Sequence, residues 1–302
     1  MTGNHDLSTT PADLTAVPPV ATSTQTFNEV ETDPPVKIEV RGVYKVFGRR
    51  EGEAIELLRQ GCPKPEVQAA TGTAVGLAGI DADIPNGRIT CIMGLSGSGK
   101  STLIRHMNRL IDPSAGTIRV DGENILELTL AQLREWRRHR VSMVFQNFGL
   151  LPHINVLDNV AFGLSVRGEA RTQARSTART WLERVGLAEY EKRYPDELSG
   201  GMRQRVGLAR ALATDADVLL MDEAFSALDP LIRYDLQDQL LELQQRLQKT
   251  IVFVTHDIDE ALRLGQNVII LRDGRVEQVG SPDDIRKRPA NDYVERFVVR
   301  RT

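Results

Sequence analysis

The chain has 302 residues, 41% of them hydrophobic, a formal net charge of −3 and two cysteines. That is ample apolar material for a core, too few cysteines for a disulfide framework, and no basic excess of the kind that binds nucleic acid. No apolar run reaches bilayer-spanning length and no secretory leader pattern opens the chain, so the expectation is a soluble cytoplasmic protein.

Residues 1–35 are rich in Thr, Pro, Ser and Asp and lack any helix or strand period, which reads as a disordered tail. Order is expected over 36–302. Val36, Ile38 and Val40 alternate with polar residues, as on a half-buried strand. An insertion at 48–72 places Ile55, Leu57 and Leu58 on a helix-like stretch, which is either a packed surface helix or a partner contact. Strand patterns follow at 73–84 and, running apolar and buried, at 88–93. A helix after Lys100, a strand near 141–145, a helix after Gly200, a strand at 218–221, a helix over 231–247 and a strand at 251–254 complete the alternation. This order predicts an α/β domain with a mainly parallel sheet. The pairs Asp121-Gly122 and Asp273-Gly274 signal hairpins, so an antiparallel β patch is expected beside it.

Three stretches carry chemistry. Gly94-Leu95-Ser96-Gly97-Ser98-Gly99-Lys100-Ser101 fits the phosphate-binding pattern GxxxxGK[ST] and stands between an apolar strand and a helix, where the pattern has meaning. Its glycines let backbone N–H groups turn toward phosphate oxygens, and the helix N-terminus adds about half a positive charge. Lys100 supplies a cation for the β- and γ-phosphates, and Ser101 an oxygen for Mg²⁺. The strand at 218–221 ends on Asp222 and Glu223. Asp222 is suited to hold Mg²⁺ through water, and Glu223, one residue on, to orient or deprotonate a water. Ser199-Gly200-Gly201 opens the third: a serine cap and two glycines at a helix N-terminus make a second anion site on one chain. One γ-phosphate is already held by Lys100, so the second site makes sense for a nucleotide bound by another copy.

The segment Leu198-Ser199-Gly200-Gly201-Met202-Arg203-Gln204-Arg205 resembles the LSGGQ signature of ABC ATPases, and the resemblance extends over about 36–298. It implies an ABC-type P-loop ATPase, with a RecA-like sheet and a helical subdomain at about 146–213. Two copies would sandwich two ATP head to tail. It implies Gln146 as the Q-loop glutamine reaching Mg²⁺ and the water, His256 as the switch histidine at the γ-phosphate, and Asp229, in Ser226-Ala227-Leu228-Asp229, as part of a D-loop crossing the dimer interface. Thr102 goes with the phosphate loop. Phe47 sits where the family stacks an aromatic on adenine, with Tyr44 the neighbouring alternative.

Within the family the chain is most similar to ATP-binding subunits of quaternary-amine importers for glycine betaine, proline betaine and choline. Phe148-Gly149-Leu150-Leu151-Pro152-His153 and Asp222-Glu223-Ala224-Phe225 carry that match, together with the insertion. The resemblance implies membrane permease subunits as partners, an extracytoplasmic solute-binding protein acting indirectly, and a peripheral location on the cytoplasmic face of the membrane. Residues 147–164, with Phe148, Leu150 and Leu151 read as exposed, are the expected permease contact; the alternative for those side chains is the core of the helical subdomain. The sequence ends before the paired CBS domains that many relatives carry, so regulation through them is not expected. Rival readings are an importer of another solute, an exporter, a nucleic-acid-linked ABC ATPase and a P-loop kinase. Charge balance and the absence of long coiled-coil insertions speak against the third, and the signature helix against the fourth.

Overall fold

In the computed structural model, which describes residues 1, 34–226 and 228–299, strands and helices alternate as the periodicity predicts. The expected disordered tail at 1–35 lies outside the described residues except at Met1, Pro34 and Pro35. In chain order the strands are β1 (Val36–Phe47), β2 (Ala74–Pro85), β3 (Ile89–Met93), β4 (Ala115–Val120), β5 (Glu123–Asn124), β6 (Val141–Val144), β7 (Val218–Asp222), β8 (Thr250–Val254), β9 (Asn267–Arg272) and β10 (Arg275–Gly280). The helices are α1 (Glu51–Arg59), α2 (Lys64–Thr71), α3 (Lys100–Met107), α4 (Leu130–His139), α5 (Val156–Val166), α6 (Arg171–Arg184), α7 (Gly200–Ala213), α8 (Pro230–Leu247), α9 (Ile258–Leu264), α10 (Pro282–Lys287) and α11 (Asp292–Val299).

Two sheets form. The larger runs β10-β9-β3-β8-β7-β6, with β9, β3, β8, β7 and β6 mutually parallel and β10 turning back against β9. Every residue of β3, β7 and β8 is buried, which is why these segments read as mainly apolar runs without alternation: helices or the second sheet cover both faces. The smaller sheet is antiparallel, β2-β1-β4-β5, and is the expected antiparallel patch. Both Asp-Gly pairs form two-residue turns with positive φ at each position, 51° and 80° at Asp121 and Gly122, 47° and 72° at Asp273 and Gly274. This mirror-image turn matches the twist of the flanking strands.

β1 is longer than the 36–40 alternation indicates. Gly42, at φ 55°, accompanies a register shift between Val40 and Val43, after which Val43 and Val46 again face the core. The insertion is a helical pair, α1 and α2. Ala54, Ile55, Leu58 and Val67 are buried against Val46 and Ala78, so the packed-helix alternative describes these side chains. Between β6 and β7 the described chain forms helices and turns. α5, α6 and α7 pack there around Val156, Val160, Leu182 and Val206, which join the cluster on one face of the larger sheet. The opposite face packs on β1, β2, β4 and α3 through Ile38, Ile80 and Leu103.

Candidate active site

The parallel strands end in register at one edge of the sheet. Ile92 pairs with Val254, Val254 with Asp222, and Met221 with Val144. The turn after β3, the His256 segment after β8, the acidic pair ending β7 and the Gln146 turn after β6 therefore emerge side by side, where open α/β sheets bind ligands.

The loop after β3 is shaped by glycine. Gly94 has φ 148°, and a Cβ there would lie 2.3 Å from the Leu271 carbonyl oxygen and 2.5 Å from Ser98 Oγ. Gly99 has φ 106°, and a Cβ would meet Leu77 at 2.8 Å and the Gly76 oxygen at 3.0 Å. No other residue fits either position without moving backbone. Ser96 and Gly97 face solvent, while Ser98 is buried with an unpartnered hydroxyl oxygen. Lys100, at the start of α3, folds back over the loop, its Nζ donating to the carbonyls of Gly94 (2.9 Å) and Leu95 (3.1 Å). Burial pulls its ammonium below the usual lysine range, and the carboxylates of Glu223 and Asp222 oppose that shift. A buried cation, glycines at the two positions where a Cβ would clash and a spare hydroxyl are what a phosphate chain needs.

Ser101 Oγ donates to Asp222 Oδ1 at 2.8 Å, and Arg105, one helical turn on, reaches Asp222 Oδ2 at 3.3 Å. Asp222 is fully buried. Ser101 and Asp222 thus form a small oxygen cluster beside the loop, of the hard-donor kind that suits Mg²⁺. Among the described residues no group of three His, Cys, Asp or Glu side chains could hold a metal by itself.

Glu223 stands apart from Asp222, as expected for adjacent residues leaving a strand. Its backbone is left-handed, at φ 49°, a conformation that costs a residue with a side chain about 1–3 kcal/mol. The turn is held by its N–H donating to Val254 and its carbonyl accepting from Ser226 N and Oγ. Its carboxylate accepts a hydrogen bond from Gln146 Nε2 at 3.3 Å, and His256 Nδ1 lies 3.6 Å from the same oxygen. Gln146, Glu223 and His256 therefore meet, with Gln146 brought to Glu223 rather than to the Ser101–Asp222 pair.

Ser199 caps α7, its Oγ accepting from Met202 N at 3.3 Å, and the serine is exposed. A Cβ on Gly200 would meet nothing within 4 Å. Among the described residues no hydrogen bond joins Ser199, Gly200 or Gly201 to the phosphate loop. Asp229 caps α8 through Ile232 N at 3.2 Å and is exposed. Ala227, in the same turn, is outside the described residues. Phe47 is 45% exposed, and a Cβ built on Gly76 would lie 3.0 Å from its ring and 3.3 Å from Thr102. Its ring thus flanks the first turn of α3. Tyr44 instead packs in the insertion cluster under Arg59.

Residues 77–226 match the model of the family described as ABC transporter. The chain is 52% identical over 264 residues to the glycine betaine transport ATP-binding protein OpuAA of Bacillus subtilis, covering 87% of this chain and 63% of that one. It is 49% identical over 260 residues to the trimethylamine N-oxide transport system ATP-binding protein TmoW of Ruegeria pomeroyi, covering 86% and 76%. The chain belongs to the ABC transporter family. Among solved structures it resembles the dimeric, ADP- and phosphate-bound, post-hydrolysis ATP-binding cassette MJ0796. The TM-score is 0.71 and the identity 30%, covering 81% of this chain and 98% of that one. The chain spans less than two thirds of OpuAA and 66% of the ProV proteins of Salmonella typhimurium and Escherichia coli.

Two further side chains, Arg105 and Gln204, join the expected ones at the site. Arg105 on Asp222 was signalled by its place four residues after Ser101, one helical turn away on the same face. Gln204, in the signature helix, reaches the Glu223 carbonyl. The expected contact surface needs correction. Phe148, Leu150 and Leu151 are half-buried: Leu150 joins the main core, and Phe148 lies under Arg203 with its carbonyl bound by Arg210. The exposed apolar side chains nearby are Phe162, Val166 and Leu110, which line a cleft with Gly149 and Arg210.

Lys100→Ala removes the cation that spans the loop. Two charge-assisted bonds to phosphate at about 1.5–3 kcal/mol each correspond to at least about a hundredfold loss of ATP affinity. Calorimetric titration checks this, and unchanged affinity would remove the loop from the nucleotide site.

Proposed function

We propose that this chain is the ATP-binding and ATP-hydrolysing subunit of an importer for glycine betaine-type quaternary amines. The observation that carries the reading is the 52% identity to a glycine betaine transport ATP-binding protein over 87% of the chain. The assembly of the 94–101 loop, Asp222, Glu223, Gln146 and His256 at one sheet edge supports it.

In this reading Lys100 and the amides of residues 94–102 bind the ATP phosphates, and Phe47 stacks on adenine. Ser101 and Asp222 hold Mg²⁺, which when bound neutralises charge on the phosphates. Glu223 accepts a proton from the attacking water. Gln146 and His256 flank that carboxylate and orient the water and the γ-phosphate. Residues 146–213 act as a helical subdomain whose Ser199, Gly200 and Gly201 face the nucleotide of a second, head-to-tail copy, with Asp229 at the shared interface. Membrane permease subunits rest on the cleft beside the Gln146 turn, and a solute-binding protein acts outside the membrane. The chain is peripheral, on the cytoplasmic face. Among the described residues no helix is long and apolar enough to cross a bilayer. Nothing in the charge balance favours nucleic acid as a partner.

A second reading, trimethylamine N-oxide as the solute, is favoured by the 49% identity to TmoW, of which the chain covers 76%. Both solutes carry a fully methylated nitrogen, and both are recognised away from this subunit. Uptake of labelled glycine betaine, choline, trimethylamine N-oxide and histidine should be compared in cells with and without this chain. Loss of betaine uptake alone is the expected result. Loss confined to trimethylamine N-oxide favours the second reading, and unchanged uptake of all four overturns both.

A further inference from the structure

Gln204 lies on α7, three residues beyond Gly201, and is 3% exposed. Its Nε2 donates to the Glu223 carbonyl at 3.4 Å, while its Oε1 is buried with no hydrogen-bond partner. An apolar side chain of this size would avoid the desolvation that a half-satisfied amide carries. Packing alone therefore gives no reason for glutamine here.

The contact falls on a residue whose backbone is held in the left-handed region. Glu223 holds φ 49°, and the other bonds that keep it there come from β8, through Val254, and from Ser226 in the same turn. Among the described residues Gln204 is the one that comes from a different layer, the helix whose N-terminus carries Ser199, Gly200 and Gly201. The Gln146 side of the site is tied to the same helix, since Arg210 of α7 donates to the carbonyls of Phe148 (3.0 Å) and Gly149 (2.7 Å). α7 thus touches both flanks of the Glu223 carboxylate's surroundings, one through a backbone carbonyl and one through the turn that presents Gln146.

We propose that Gln204 is a positioning residue, which holds the Glu223 backbone against the signature helix of the same chain. The inference rests on the proposed ATPase function and names a residue that function does not use. Where α7 is seated against the nucleotide of the second copy, Gln204 sets Glu223 for its own nucleotide. Where α7 shifts, the carboxylate shifts with the carbonyl that Gln204 holds. A misplacement of about 1 Å at a reacting group costs up to a hundredfold in rate, so loss of one of several restraints is expected near tenfold.

The test is a comparison of Gln204→Met, which fills the same volume without the amide, with the wild-type chain. kcat for ATP hydrolysis should fall about tenfold, while the Kd for ATP stays within about twofold. Combined with Glu223→Gln, the Gln204→Met chain should still form an ATP-dependent dimer, because the N-terminus of α7 is intact. Should Gln204→Met fail to fold, Gln204→Glu gives the same comparison with the original shape and a carboxylate facing the carbonyl. An unchanged kcat overturns the inference. So does a parallel loss of affinity, dimerisation and kcat, which would make Gln204 only a support of the helix. A wild-type chain with no ATPase activity overturns the proposed function instead, which keeps the two failures apart.

Discussion

Glu223→Gln is expected to lower ATP turnover by about 10²–10⁴-fold, the usual worth of a positioned general base, while ATP binding survives. The substitution preserves shape, so the contacts of the side chain with Gln146 and His256 can be rebuilt by rotating the amide. What is lost is the capacity to accept a proton from water. The loss of negative charge also matters, because Glu223 acts electrostatically on Lys100. Removing it leaves the loop more positive and so no weaker toward phosphate. A chain that binds ATP but cannot cleave it should accumulate as an ATP-bound dimer. Phosphate release measures the first effect and sedimentation in ATP the second. Hydrolysis at the wild-type rate would take the general-base role away from Glu223.

Gly201→Asp is expected to abolish hydrolysis while leaving the chain's own nucleotide binding intact. Gly201 lies in the first turn of α7, where unpaired amides and about half a unit of positive charge face outward. A carboxylate there repels a γ-phosphate, but the loop after β3, with Lys100, is untouched. Binding by the single chain should survive while ATP-dependent dimerisation fails. Mixing this variant with Lys100→Ala separates the two halves of each composite site. In a head-to-tail pair one site combines the intact loop of the first chain with the intact signature of the second, and the other site carries both lesions. Such a mixed dimer should bind one ATP where the wild type binds two, as counted by equilibrium binding. A Gly201→Asp chain that hydrolyses normally as a monomer would leave an ordinary P-loop enzyme with a glycine-rich helix cap.

The readability of the site follows from how far apart its parts lie in the chain. The phosphate loop is legible because its requirements are local: positive φ at Gly94 and Gly99, a lysine at the helix start and a preceding buried strand all fall within a dozen residues. Phe148, Leu150 and Leu151 left surface contact and subdomain core both open, because Asn147, Gly149 and Pro152 around them carry the composition of an exposed loop. Phe148 adopts φ 60° and turns back beneath arginines that arrive from α7, about 60 residues later. Gln204 was unremarkable as a letter between two arginines; only the seating of α7 on the end of β7 gives it a partner.

The sequence alone determined an α/β chain with a phosphate loop and a capped anion-binding helix, because backbone conformation in a glycine loop, capping at a helix start and apolar strand runs are set by short-range sterics and hydrogen bonding; the resemblance of residues 198–205 to the ABC signature added the family. Which strands lie side by side was decided by the tertiary structure. β8 inserts between β3 and β7, and β6 lies beyond β7, so residues separated by more than 150 positions arrive within bonding distance. Side-chain contacts of that separation depend on which buried faces pack together, a property of the whole core that no local pattern encodes. The Glu223 cluster with Gln146, His256 and Gln204 is of this second kind: each residue type is visible in the chain, and only the packed sheet edge and the seated helix bring them together.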